Sequence, residues 1–199
     1  LYSSAASDVY KRQVFFVVVV LGIVARMCGI SIFSIMKILK SEILLAFSTS
    51  SSEAVLPVMM KKMEKFGSPK EITSFVIPIG YTFNLDGSAL YQSIAALFVA
   101  QMYGMHLTLT EQIVLMLTLM LTSKGMAAVP GTSIVVLLTT LGAMGLPAQG
   151  LALIIGVDRL LDMVRTVVNV MGNALSTVVI AKWENLYDKK QGQEYLKSL

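Results

Sequence analysis

Apolar and polar positions fall in blocks along this chain, and the lengths of the blocks carry the first information. Val14–Ala25 (VFFVVVVLGIVA) is continuous apolar sequence, yet shorter than the roughly 20 residues a bilayer crossing needs. It reads as a truncated transmembrane helix over 14–28. A signal peptide is the competing reading, but no small-residue cleavage pattern follows. The preceding residues 1–13 (LYSSAASDVYKRQ) are polar, begin without Met and share no pattern with the rest, so they are expected to be foreign to the natural protein. Next, the arms Ser31–Ala46 and Ala54–Met60, each too short to span, flank the polar tip Ser48-Thr49-Ser50-Ser51-Ser52-Glu53. That pattern predicts a re-entrant helical hairpin over 31–65, although a soluble amphipathic hairpin has the same pattern in this piece alone.

Ile72–Phe83 is apolar, breaks at Asn84-Leu85-Asp86-Gly87-Ser88 and resumes as Ala89–Tyr103. A span of 71–103 with a polar middle is the pattern of a discontinuous helix, whose unwound centre exposes carbonyls and helix ends to ions. An external Asp-Gly turn between two helices is the alternative, at the cost of two poor spans. A second hairpin is predicted over 110–141, with Pro130 and Gly131 breaking it at Val129–Ser133. After the outer turn Gly142–Pro147, a last span covers 148–182 and a polar tail covers 185–199.

Composition agrees with this layout. The 199 residues are 55% hydrophobic and 14% charged, with mean hydropathy +0.73; a soluble domain carries roughly a quarter charged residues. Disorder is excluded, because it requires low hydrophobicity and high charge. The net charge of +4 comes from short Lys clusters between apolar stretches, without the interleaved aromatics of a nucleic-acid surface. A membrane protein with positive loops accounts for composition and charge together, and Lys189, Lys190 and Lys197 put the C-terminus in the cytoplasm. Cys28 is the single cysteine, so neither an intrachain disulfide nor a multi-Cys metal site is available. The thirteen Met read as packing. Trp183 and Tyr187 fit an interfacial aromatic belt.

The sharpest feature is in the last span. Asp158, Asp162, Arg165, Thr166, Asn169 and Asn173 follow one another at spacings of 4, 3, 1, 3 and 4. At about 100° per residue they share an arc of roughly 100° on one helix face. Each Asp or Arg placed in hydrocarbon costs about 2.5–3.5 kcal/mol or more, so the stripe must face protein or a wet cavity. A buried ion pair locking two helices accounts for Asp162 and Arg165, but not for the neutral polar groups beside them. Taken as a site, Arg165 can grip a carboxylate, Asp162 can accept from an ammonium, and Thr166 and Asn169 can add neutral bonds. Backbone N–H groups at the two hairpin tips can hold a second carboxylate. Two carboxylates and one ammonium describe an acidic amino acid.

Four motifs then stand in a recognisable order: SSSE, NLDGS, SKGMAAVPGTS, and DRLLDMVRTVVNVMGN with AKWE. From about Val14 to Glu184 the chain resembles the C-terminal half of the dicarboxylate/amino acid:cation symporters, the glutamate transporter family. The resemblance implies an all-α multi-span membrane protein, a fragment carrying the transport domain over 29–184, with the two hairpins, the broken span and the polar-striped last span. It implies alternating-access symport of glutamate or aspartate, no enzymatic activity, no cofactor beyond a coupling proton or sodium ion, and residence in the lipid bilayer of the bacterial inner membrane. It also implies a homotrimer held by an N-terminal scaffold that lies outside this fragment.

By the same resemblance Ser51 and Ser52 hold the substrate α-carboxylate, Arg165 with Ser88 the side-chain carboxylate, and Asp162 the amino group. Thr166 and Asn169 complete the pocket, and Val129–Ser133, including Val129 and Ser133 themselves, forms its gate. A cation site is implied at Gly80, Thr82, Asn84, Asp86, Ser123, Asn169 and Asn173. Asn173 stands where several sodium-coupled members have Asp, which weakens one sodium site. Gln92 replaces a titratable Glu of animal relatives, leaving Asp86 and Asp162 as the expected proton acceptors. Lys124 is a departure without an assigned role.

Arg165 disfavours neutral amino acids, since it would be left as an unpaired charge, and Asp162 disfavours a dicarboxylate lacking an ammonium. A C4-dicarboxylate symporter is the near alternative and an ion channel the distant one, distinguished by flux without acidic substrate. An intramembrane hydrolase using Ser48–Ser52 and His106 lacks a G-x-S-x-G elbow, and His106 lies in a turn outside the spans.

Overall fold

The computed structural model describes residues 2–124 and 129–199, with side-chain surroundings given for 7–124, 129–152 and 154–199. Gly125–Ala128, inside the second-hairpin motif, lies outside the described residues. Among the described residues there is no strand. Helix α1 (Tyr2–Phe15) runs through a widened π-helical turn at Phe16–Leu21 into α2 (Gly22–Met27). That turn contains four successive valines, Val17–Val20, whose branched Cβ atoms crowd a regular α-turn. Val9 and Gln13 are both buried, and Gln13 Nε2 donates to the carbonyl of Gly87 at 3.5 Å.

The chain then bends by 103° into α3 (Ile32–Ile38), whose N-cap Ser31 accepts from the Phe33 N–H, and continues as α4 (Lys40–Thr49). After the serine tip and a 3₁₀ turn at Glu53–Val55, α5 (Leu56–Lys65) returns, with Pro57 in its first turn, where a missing N–H costs nothing. The arms are tied near their outer end, where Lys62 Nζ donates to Glu42 at 2.6 Å. Helix α6 (Lys70–Phe83) ends before Asn84, and α7 (Asp86–Met102) begins after the two residues Asn84 and Leu85, so the helix is interrupted at the polar motif. Helix α8 (Leu109–Thr122) opens on a capping box between Thr108 and Glu111; α9 (Thr132–Ala143) is its partner arm.

Helix α10 (Leu151–Trp183) is 33 residues long and continuous; 3₁₀ turn Ala148–Gly150 leads into it. Its Ile154–Trp183 portion is the one described helix both long and apolar enough to cross a membrane by itself. The tail helix α11 (Lys189–Lys197) folds back on α5, where Phe66 and Tyr187 meet edge to face at 6.0 Å. Burial, together with the Asp188 charge, pushes the Tyr187 phenol up to about 12.

Two large apolar cores and two small ones result among the described residues. One large core gathers α2, α3, the first hairpin and the later part of α10, through Ile35, Ala46, Met59, Met63, Val170 and Met171. The other large core gathers α7, the second hairpin and the beginning of α10, through Tyr91, Val99, Leu119, Leu137, Leu151 and Leu161. Between Leu161 and Val168, where α10 passes from one core to the other, lie Asp162, Arg165 and Thr166.

Candidate functional site

The spacing that put six polar residues on one face of α10 is realised as a buried stripe. Asp158, Asp162, Arg165, Thr166, Asn169 and Asn173 are all buried, and Arg165 is only 1% exposed. All three of its guanidinium nitrogens are engaged. Nη1 and Nη2 donate to the two oxygens of Asp158 at 2.9 and 3.2 Å, and Nε donates to Asp162 Oδ1 at 2.8 Å. The face of the group lies over the Tyr91 ring, 4.1 Å from its centre. Such a two-pronged, stacked arrangement is available to Arg and not to Lys. Asp158 was on the predicted face, but its fork on Arg165 went unassigned; Tyr91, from another helix, was missed.

The second hairpin reaches the stripe at its tip. Gly131 has φ of 83°, and its N–H donates to Asp162 Oδ2 at 3.2 Å, so one carboxylate joins Arg165 to the tip. Ser133 is buried and its carbonyl accepts from Gln92 Nε2 at 3.3 Å, whereas Val129 is 40% exposed. The first hairpin reaches α10 one turn earlier, where Arg159 Nη2 donates to the Thr49 carbonyl at 3.4 Å. At this tip Ser50 takes a left-handed backbone (φ 53°), unusual for a residue with a side chain. Ser52 is 4% exposed, and its hydroxyl, like that of Ser50, is buried without a hydrogen-bond partner among the described residues; Ser51 is half-buried. An unpaired buried hydroxyl costs about 1–3 kcal/mol, which marks the Ser52 hydroxyl as an open donor.

Other predicted residues have protein partners in this structure. Thr166 Oγ1 donates to the Asp162 carbonyl one turn back, at 2.8 Å. Asn169 is used at both ends: Oδ1 accepts from the Gly87 N–H at 2.8 Å, and Nδ2 donates to Ser88 Oγ at 3.2 Å. It thereby holds the restart of the broken span against α10. The expected cation residues divide in the same way. Asn84 Nδ2 donates to Asn173 Oδ1 at 3.2 Å and to Ser176 Oγ at 3.3 Å, the latter unassigned from sequence. Gly172 gives the Asp86 carboxylate room to lie on α10, and Gly80 does the same for the Asn173 amide; a Cβ at either glycine would collide with them. Thr82 and Ser123 spend their hydroxyls on carbonyls of their own helices, Ile79 and Met120. Lys124 donates to the Phe83 carbonyl at 2.6 Å.

The structure thus combines a buried Arg between two carboxylates, a broken helix with its own carboxylate, and two polar-tipped hairpins that both reach α10. Over residues 8–183 the chain matches the sodium:dicarboxylate symporter family. The chain belongs to that family. It is 65% identical over 185 residues to the proton/sodium-glutamate symport protein of Bacillus subtilis (strain 168), covering 93% of this chain and 43% of the relative. The proton/glutamate-aspartate symporter of Escherichia coli (strain K12) is 61% identical over 187 residues, 94% of this chain and 43% of that protein. The C4-dicarboxylate transport protein of Xanthomonas campestris pv. campestris (strain B100) is 48% identical over 183 residues, 92% of the chain and 41% of the relative. The chain therefore spans less than half the length of these curated relatives. Membership of this symporter family accounts for the all-helical build of the described residues and for the bilayer-type composition.

Proposed function

We propose that the transporter to which this chain contributes is a secondary symporter of L-glutamate and L-aspartate, driven by a proton or sodium gradient across the bacterial inner membrane. The observation that carries this reading is Arg165, buried, stacked on Tyr91 and held in a two-pronged grip by Asp158. A guanidinium so oriented is matched to a carboxylate, and a substrate carboxylate entering the site takes over the prongs that Asp158 holds. Ser88 supports that end of the substrate. Asp162 receives the ammonium, and the Ser51–Ser52 tip, with its open hydroxyl, receives the α-carboxylate. Thr166 and Asn169 border the pocket, and Val129–Ser133 closes it. The coupling cation passes the cluster of Gly80, Thr82, Asn84, Asp86, Ser123, Asn169 and Asn173.

Residues 29–184 form the transport domain in this reading, with hairpins over 31–65 and 110–141 entering the bilayer without crossing it. The C-terminal tail lies in the cytoplasm, and assembly as a trimer rests on sequence outside this chain. The acidic amino acids are preferred over C4-dicarboxylates for two reasons: Asp162 requires an ammonium partner, and the glutamate-named relatives above are 61–65% identical against 48% for the dicarboxylate transporter.

The test is uptake of labelled glutamate by the full-length transporter in vesicles, with imposed proton and sodium gradients compared. Losing two charge-assisted bonds in Arg165→Ala is expected to weaken glutamate roughly 100-fold or more, with succinate competing poorly in the wild type. Glutamate uptake at normal affinity by Arg165→Ala overturns the assignment, and ion flux without accumulation of substrate replaces the symporter by a channel.

A further inference from the structure

Lys124 stands at the head of the second hairpin's tip, just after α8, and is solvent-exposed along its stem. Its ammonium donates to the Phe83 carbonyl at 2.6 Å, across 41 residues of chain. Phe83 is the last residue of α6, so this carbonyl is among the four that a helix leaves without intrahelical partners. The end of a helix also carries about half a negative charge, which favours a cation within the last turn. Three residues on is Asp86, half-buried, its carboxylate lying against α10 at Gly172. The remaining groups packed here, Asn84, Asn173 and Ser176, are neutral. The helix end, with a carboxylate three residues beyond it, therefore meets one positive charge, and that charge is carried by the residue that heads the hairpin tip.

We propose that Lys124 is a tethered monovalent cation: its ammonium takes the place at the α6 end and Asp86 that a free sodium ion would otherwise occupy. The inference rests on the symport reading above. Two consequences follow from charge alone. Sodium and Lys124 compete for the same oxygen-lined place, because two positive charges at one carbonyl repel. The ammonium also joins α6 to the hairpin tip, so displacing it removes one of the tip's links, whereas a mobile ion leaves no such strap. Lys124 is thus a specificity-determining residue for the coupling ion, acting through its charge and its attachment to the gate.

The experiment measures glutamate uptake by the full-length transporter at fixed pH over a series of sodium concentrations, for wild type, Lys124→Gln and Lys124→Arg. Lys124→Gln is expected to lower the half-maximal sodium concentration roughly tenfold, and Lys124→Arg to stay near wild type. Identical sodium dependence in Lys124→Gln and wild type overturns the proposal. Should Lys124→Gln fail to insert, amine acylation of the wild type, read by mass spectrometry at Lys124 with Lys62 as internal reference, decides the matter. Sodium is expected to raise the reactivity of Lys124 selectively, and equal reactivity with and without sodium overturns the proposal. Absence of glutamate uptake in the wild type rejects the symport reading instead, while the acylation result still reports whether sodium displaces Lys124.

Discussion

The two hairpins are built on one sequence theme and are held in different ways. In the first, Ala46, Val55, Met59 and Met63 enter the apolar core around the later half of α10, and the tip serines Ser50 and Ser52 are buried. The second packs mainly on α7, through Leu115, Leu119, Leu137 and Leu141, and its tip shows Val129 to the outside. Its tip is fastened by point contacts: Gly131 to Asp162, Lys124 to Phe83, and the Ser133 carbonyl to Gln92. Apolar packing spreads its free energy over many small contacts and yields only as a whole, whereas a polar link breaks singly and water replaces it at little cost. In the proposed reading the difference teaches which hairpin opens: the first belongs to the frame, and the second is a flap that, among the described residues, is held by releasable polar links, one of them to the carboxylate that receives the substrate ammonium.

The contrast can be broken most severely in the cores. Met63→Ala, at 0% exposure in the first hairpin, is expected to cost about 2–5 kcal/mol, against little change for Leu121→Ala in the second hairpin, where Leu121 is 75% exposed. Thermal unfolding of the purified transporter in one detergent measures both, and equal losses would remove the distinction between frame and flap. A smaller effect is expected at the flap itself. Gly131→Ala places a Cβ at φ of 83° and strains the bond to Asp162 by roughly 1 kcal/mol, so glutamate affinity should fall several-fold with stability almost unchanged. Isothermal titration beside a melting curve separates the two readouts. The smallest expected effect is Ser52→Ala. Because its hydroxyl has no protein partner, removal should leave the melting temperature within a degree or two or raise it slightly, while glutamate binding weakens by about 1 kcal/mol, several-fold. A clear loss of stability in Ser52→Ala would return that serine to the frame.

Much of the architecture was legible because bilayer sequences announce themselves by block length. The helices Leu109–Thr122 and Thr132–Ala143, the interruption at Asn84–Leu85 and the approximate extent of α10 follow from where apolar runs stop, whereas α4 and α5 run on into polar sequence, to Thr49 and Lys65. The helical face of Asp158, Asp162, Arg165, Thr166, Asn169 and Asn173 was legible for the same reason, since a period of 3.6 is local information. What was not legible lies across helices. Tyr91 under Arg165, Ser176 beside Asn84 and the Phe83 carbonyl under Lys124 are pairings over 41 to 92 residues of chain or between separate helices, and no periodicity encodes them. Asp158 is the intermediate case. Its place on the stripe was visible, but which carboxylate takes the fork of the guanidinium and which takes Nε depends on rotamers, and rotamers answer to packing.

The unbroken length of α10 has a mechanical consequence. At 1.5 Å per residue its 33 residues make a rod about 50 Å long, well beyond the ~30 Å of hydrocarbon in a bilayer. Such a rod must lean or stand proud of the membrane, and it has no joint along its length at which to flex. Because Asp158, Asp162 and Arg165 are rungs on this one rod, the distances among them survive any tilt or sliding of it. In the proposed reading a solute gripped there travels as freight bolted to a beam, and only the flap over it needs to work as a door.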